Sequence, residues 1–184
     1  MPGRPAARTF CVAQPACKRA ARAALRILAG MSWKPDITVA AIVEIEGRFL
    51  CVEELIRNRR VFNQPAGHVE SGEDFLQAVC RETLEETAWH FEPQWFLGVY
   101  RWQAPARPRS TLRFAYAGRV HGHEAQRVLD SPVVAAHWLT RAQLLESTRT
   151  LRTPLVLQCI DDYLAGVRLP LRAVTQMAQD PGTQ

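Results

Sequence analysis

Three glutamates, Glu82, Glu85 and Glu86, stand at i, i+3 and i+4. On a helix turning about 100° per residue, that spacing gathers three carboxylates within an arc of about 100°. Like charges so placed repel by roughly 0.2–0.5 kcal/mol per pair on an exposed helix, so something has to offset them. A hard divalent cation suits them, because Mg²⁺ takes octahedral oxygen ligands from a few carboxylates, waters and substrate phosphate oxygens. For an isolated E-x-x-E-E, a solvated acidic face is the ordinary reading, and the rest of the pattern has to decide.

The helix that must carry these groups is expected from about Asp74 to Thr87, with Glu73 and Asp74 placing negative charge at its N-terminus. Leu76, Cys80, Thr83, Leu84 and Thr87 fall on a separate arc, expected to pack on a sheet while the three glutamates face solvent and small Ala78 leaves room beside them. Upstream, Ile37–Val43 and Arg48–Glu54 read as a hairpin turned at Glu46-Gly47, and Val61–Asn63 as a short strand stopped by Pro65 and Gly67. Downstream, Gln94–Gln103 and Thr111–His121 read as long strands flanking the loop Ala104–Ser110. Val133–Leu139 reads as another strand, Thr140 as the cap of a helix to about Ser147, and Thr153/Pro154 as the start of a helix that Gly166 ends. Two antiparallel pairs in an irregular alternation favour an α/β architecture with a mixed β-sheet flanked by helices over a doubly wound parallel one.

At 184 residues, 47% apolar and 22% charged, the chain can bury a core without disulfides or a structural metal. No apolar run approaches the ~18 residues of a membrane span. Five scattered cysteines, Cys11, Cys17, Cys51, Cys80 and Cys159, fit no metal or redox motif and point to reduced thiols in a cytoplasm. The net charge of +5 comes from residues 1–30, which hold six basic residues and no acid, while residues 31–184 hold 17 basic against 18 acidic. A near-neutral body argues against a nucleic-acid partner. We expect residues 1–30 to form a basic, flexible extension, with a transit peptide, a nucleic-acid arm and an upstream start as its other readings. Residues 31–175 then form the domain and 176–184 a tail.

What decides the reading of the glutamates is Gly67 at a fixed distance upstream, Glu73, and Arg81 directly before Glu82. The set resembles the Nudix box, G-x5-E-x7-R-E-U-x-E-E-x-G-U, where U is a bulky aliphatic residue. Thr83 and Ala88 depart from it, standing where an aliphatic residue and Gly are usual. Ala88 is the larger departure, because a residue closing a helix commonly takes φ > 0, at a cost to Ala of about 1 kcal/mol.

Resemblance to the Nudix hydrolase family implies an α/β/α sandwich and hydrolysis of a small-molecule diphosphate with Mg²⁺ or Mn²⁺. It implies Glu82, Glu85 and Glu86 as metal ligands assisted by the Gly67 carbonyl, with Arg81 and Glu73 orienting the helix and its loop. Metals bridging a diphosphate neutralise its charge and lower the pKa of a bound water, whose proton goes to a glutamate. Glu85 and Glu86 both stay open for that role. Asn63–Glu70, Trp102-x-Ala104-Pro105, Leu112-Arg113-Phe114 and Pro154–Leu171 further resemble the bacterial phosphatase NudJ branch of the family. That branch is associated with nucleoside di- and triphosphates, the thiamin-related pyrimidine diphosphate and thiamin diphosphate, and releases orthophosphate.

Arg113, mid-strand, is the first choice for a cation on the phosphate tail, ahead of Arg101 and the Arg107/Arg109 loop. Trp102, Trp33 or Tyr100 offers a ring face, and His68 a phosphate contact or a loop filler. His121 and His123 lack a third ligand for zinc, and Glu124 or Asp130 is an optional acidic ligand. The competing functions are a Nudix hydrolase of ADP-ribose, dinucleoside polyphosphates or RNA 5′ ends, and a catalytically inactive Nudix binding module. Intact glutamates argue against the inactive module. We expect a monomer or homodimer.

Overall fold

The structure is a computed structural model and describes residues 33–104, 109–146 and 151–177. The expected extension 1–30, Arg107 and residues 178–184 lie outside them. Every element described below lies within the compact unit Pro35–Gln184.

Seven strands form one mixed sheet: β1 (Asp36–Ile45), β2 (Arg48–Ile56), β3 (Arg59–Asn63), β4 (Ala66–His68), β5 (Trp89–Trp102), β6 (Thr111–His123) and β7 (Val133–Thr140). The path runs β3-β2-β1-β6-β5, with β4 added to β1 and β7 to β2. Two-residue turns with positive φ at both positions, Glu46-Gly47 and Arg57-Asn58, close the β1–β2 and β2–β3 hairpins. The first hairpin pairs only at Glu44↔Phe49 and Ile45↔Arg48 before its strands part. From there β1 runs parallel to β6 and antiparallel to β4, while β2 lies between β3 and β7. β4 is absent from the sequence reading, which stops the chain at Pro65 and Gly67; the main chain instead resumes pairing over three residues, Ala66 to His68.

Helix α1 (Phe75–Thr87) packs on one face of the sheet and α2 (Arg141–Leu145) with α3 (Leu155–Leu164) on the other. Alternation along β1 divides the core accordingly. Val39, Ala41 and Val43 meet Ala78 and Val79 of α1, and Ile42 meets Leu144, Cys159 and Ile160. The result is an α/β/α sandwich.

Asp74 caps α1 in a reciprocal capping box with Gln77. Ala88 closes the helix in the left-handed region at φ 60°, its N–H donating to the Leu84 carbonyl, so Ala adopts the conformation its box position usually gives to Gly. The packed face of α1 differs from the expected arc. Its most buried residues are Ala78, Val79, Thr83, Glu86 and Thr87, whereas Leu76 and Leu84 are half-buried. Small side chains bring the helix close to the sheet, and the Thr83 and Thr87 hydroxyls donate back to the Val79 and Thr83 carbonyls. Glu86 is thereby carried inward.

Candidate active site

β4 and α1 meet at the site. Arg81 spends all five N–H donors there. Nε and Nη2 fork onto the two Glu73 oxygens at 3.0 and 2.7 Å, Nη1 reaches Glu82 at 2.8 Å and Glu85 at 2.9 Å, and Nη2 also donates to the His68 carbonyl at 3.0 Å. One side chain thus ties the loop before the helix, the end of β4 and two of the three glutamates together. The Arg81 guanidinium holds the Glu73 carboxyl below its usual value, and Glu73 in turn raises Arg81.

Glu82 and Glu86 line a cleft of about 440 Å³, together with Gly67 and His68. Glu86, 8% exposed, accepts the Ala66 N–H at 2.8 Å. Burial, aided by the nearby Glu82 and Glu54 carboxylates and opposed by that hydrogen bond and by Arg113, pushes its pKa up to about 8. Burial also raises Glu82, countered by Arg81. The expectation of three solvent-facing carboxylates is therefore corrected. Glu82 and Glu86 turn into the cleft, and Glu85 is held by Arg81 outside its lining.

Arg113 and Trp102 also line the cleft. Arg113 is 4% exposed, its Nη1 donating to Gln64 at 3.0 Å and Nη2 to Asn63 at 3.3 Å, and burial lowers its pKa. It is a buried strut where the sequence suggested a cation open to phosphate. Arg113 Nε and Thr38 Oγ1 are the buried side-chain polar atoms without a partner among the described residues, and both residues line the cleft.

Other candidates lie elsewhere. Tyr100 donates to Asp162 and packs on the α3 side, Trp33 is 57% exposed, and Arg101 sits by Ser110. His123 packs tilted against Trp89 and His121 stacks on His90, whose ring bonds Glu124. The sequence reading missed Glu54, Asn63 and Arg152 as a connected group in the cleft. The one signal for it was the acidic pair Glu53-Glu54 at the end of an apolar strand.

No three Asp, Glu, His or Cys side chains among the described residues are gathered closely enough to cage an ion unaided. A hard divalent ion does not need such a cage, since waters and substrate oxygens complete its shell. The donors present are carboxylate oxygens of Glu82 and Glu86, buried near one another and raised in pKa, the condition that a divalent cation relieves. The residues fit such an ion.

The NUDIX domain family model matches residues 34–158. Phosphatase NudJ of Escherichia coli strain K12 is 37% identical over 142 residues, 77% of this chain and 92% of that protein. Phosphatase NudJ of Shigella flexneri matches to the same extent. Among solved structures, a NUDIX hydrolase from Nitrosomonas europaea superposes with a TM-score of 0.77 at 40% identity, over 80% of this chain and 100% of that one. The MutT NUDIX hydrolase of Burkholderia pseudomallei, at 22% identity and TM-score 0.60 over 70% and 98% of the two chains, shares the fold.

Proposed function

The chain belongs to the Nudix hydrolase family, and from that premise we propose that it removes the terminal phosphate of compact organic diphosphates, in the manner the name phosphatase NudJ gives to its relatives. The substrates are nucleoside di- and triphosphates, and the thiamin-related pyrimidine diphosphate or thiamin diphosphate. The observation that carries this reading is the half-buried Glu82 beside the buried Glu86 inside a cleft of about 440 Å³, a volume within the usual range for one small ligand.

Glu82 and Glu86 would hold Mg²⁺, with Mn²⁺ as a substitute, assisted by the Gly67 carbonyl and by Glu85. Such an ion would supply neutralisation of the phosphate charge and added acidity for a nearby water. Arg81 fixes the glutamates against Glu73 and the His68 carbonyl. Trp102 and His68, at the cleft wall, face the organic group. Water oxygen bonds to the terminal phosphorus, the bridging P–O bond breaks, and the water proton passes to Glu85 or Glu86. Orthophosphate leaves, and the organic product carries one phosphate fewer: a diphosphate from a triphosphate, a monophosphate from a diphosphate. The three free thiols among the described residues, Cys51, Cys80 and Cys159, support a cytoplasmic location, and none of the described helices is long and apolar enough to cross a membrane.

The test is chromatographic analysis of all products, with orthophosphate measured alongside, in Mg²⁺ and in EDTA across nucleoside di- and triphosphates, thiamin diphosphate, the thiamin pyrimidine diphosphate, ADP-ribose, dinucleoside polyphosphates and 5′-triphosphorylated RNA. We expect orthophosphate from the compact substrates in Mg²⁺ alone. A preference for ADP-ribose, dinucleotides or RNA overturns the substrate assignment.

A further inference from the structure

Two permanent cations line the cleft among the described residues, Arg113 and Arg152. Resting on the hydrolase reading, we propose that Arg152 grips the phosphate chain of the substrate and that Glu54 positions it.

Arg113 is unsuited to that task because it is buried and two of its nitrogens are committed to Asn63 and Gln64. Arg152 is 39% exposed on its side chain and Nη1 donates to Glu54 Oε2 at 2.5 Å. That bond engages one nitrogen, and the fork keeps a further pair of N–H groups for a phosphate. The backbone at Arg152 is fixed as well: its N–H donates to the Phe62 carbonyl at 2.8 Å, and Leu151 bridges to Phe62. The side chain therefore starts from a defined point on the edge of β3.

Glu54, 5% exposed on its side chain, is the link between the two arginines. Arg113 Nη2 donates to Asn63 Oδ1, Asn63 Nδ2 donates to Glu54 Oε1 at 3.4 Å, and Arg152 closes the chain on the other Glu54 oxygen. A buried carboxylate beside an anionic substrate is unfavourable unless neutralised. Arg152 neutralises it and turns the acidic end of the cleft into one that accepts an anion. The Arg113 end of the network is buried and doubly hydrogen-bonded while the Arg152 end is open, which suits Arg152 to form and release contacts with substrate at each turnover.

The test is calorimetric binding of methylenediphosphonate, a diphosphate that cannot be cleaved at its bridge, in Mg²⁺ buffer. R152A and R152Q are each expected to weaken binding at least tenfold, and R152K less, since a point charge loses the forked geometry. E54Q is expected to weaken it several-fold and to raise KM more than it lowers kcat. Combined with R152A it should add nothing, because it acts through that side chain. Unchanged affinity in whichever folded variant, R152A or R152Q, melts cooperatively overturns the proposal, as does an additive E54Q/R152A double mutant. Failure of the wild type to bind the phosphonate while it hydrolyses diphosphates also overturns it and leaves the hydrolase reading standing. Arg152-dependent binding without Mg²⁺-dependent hydrolysis upholds the grip and removes the hydrolase reading.

Discussion

Gly67 lies so close to Glu82 that a Cβ on it would stand 2.1 Å from the Glu82 carboxylate. The position requires glycine because the carboxylate occupies the space a side chain would fill. The obstacle is the end of a flexible side chain, which can move aside without disturbing the sheet. Gly67→Ala is therefore expected to fold, with its melting temperature within about 3 °C of the parent, a shift that corresponds to under ~1 kcal/mol. Its kcat should fall at least roughly tenfold, the loss that about 1.4 kcal/mol of misplacement brings. Thermal melting and phosphate release measured on the same preparation check both halves.

Glu86→Gln should separate stability from activity. The Ala66 N–H can still donate to the Gln side-chain oxygen, while a carboxyl raised to about 8 by burial is replaced by a neutral group. In EDTA the variant is expected to be at least as stable as the parent in urea. In Mg²⁺ its kcat should drop by about 100-fold or more, since metal-assisted steps supply several kcal/mol. Glu85→Gln should lower kcat comparably. Near-parental turnover in both variants under saturating Mg²⁺ would exclude the site.

The spacing from Gly67 to Glu86 was legible because every group in it lies on one loop and one helix, where sequence distance fixes spatial distance. The start of α1 near Asp74 and the Glu46-Gly47 turn were legible for the same reason, whereas the capping role of Asp74 was not read. The inward turn of Glu86 was not, because it depends on how closely Ala78 and Val79 let the helix approach the sheet. Arg113 read as a substrate cation because strand alternation says nothing about Gln64 and Asn63 waiting across the fold. The Glu54–Arg152 pair is 98 residues apart in sequence, and no local pattern announces it.

Glu73 and Arg81 tie the loop to α1, and their pairing sets a pH dependence. Arg81 holds the Glu73 carboxyl below its usual value, so its contribution is fully present above the unfolded-state pKa near 4.3 and is lost as pH falls through the lower folded value. Glu73→Gln is expected to cost about 1–2 kcal/mol at pH 7, as a partly buried forked pair does. The gap to the parent should narrow steadily below about pH 4. Urea unfolding at pH 7, 5 and 3 measures it, and a gap that stays constant across the series would show that the charge of Glu73 contributes nothing.

Arg113 distinguishes a strut from a substrate contact. With 4% exposure and bonds to both Gln64 and Asn63, its removal leaves those amides short of partners. It also takes away the cation that lowers the Glu86 pKa. Arg113→Met keeps much of the volume and deletes the donors, so it is expected to destabilise the protein by about 2–4 kcal/mol, the scale on which breaking a buried polar pair acts. Arg113→Lys should lose nearly as much, because one ammonium cannot span the two amide oxygens. A side chain whose work was to touch phosphate would show the opposite pattern: a raised KM, an unchanged urea midpoint and substantial rescue by lysine. Urea midpoints and KM values for the two variants decide between them.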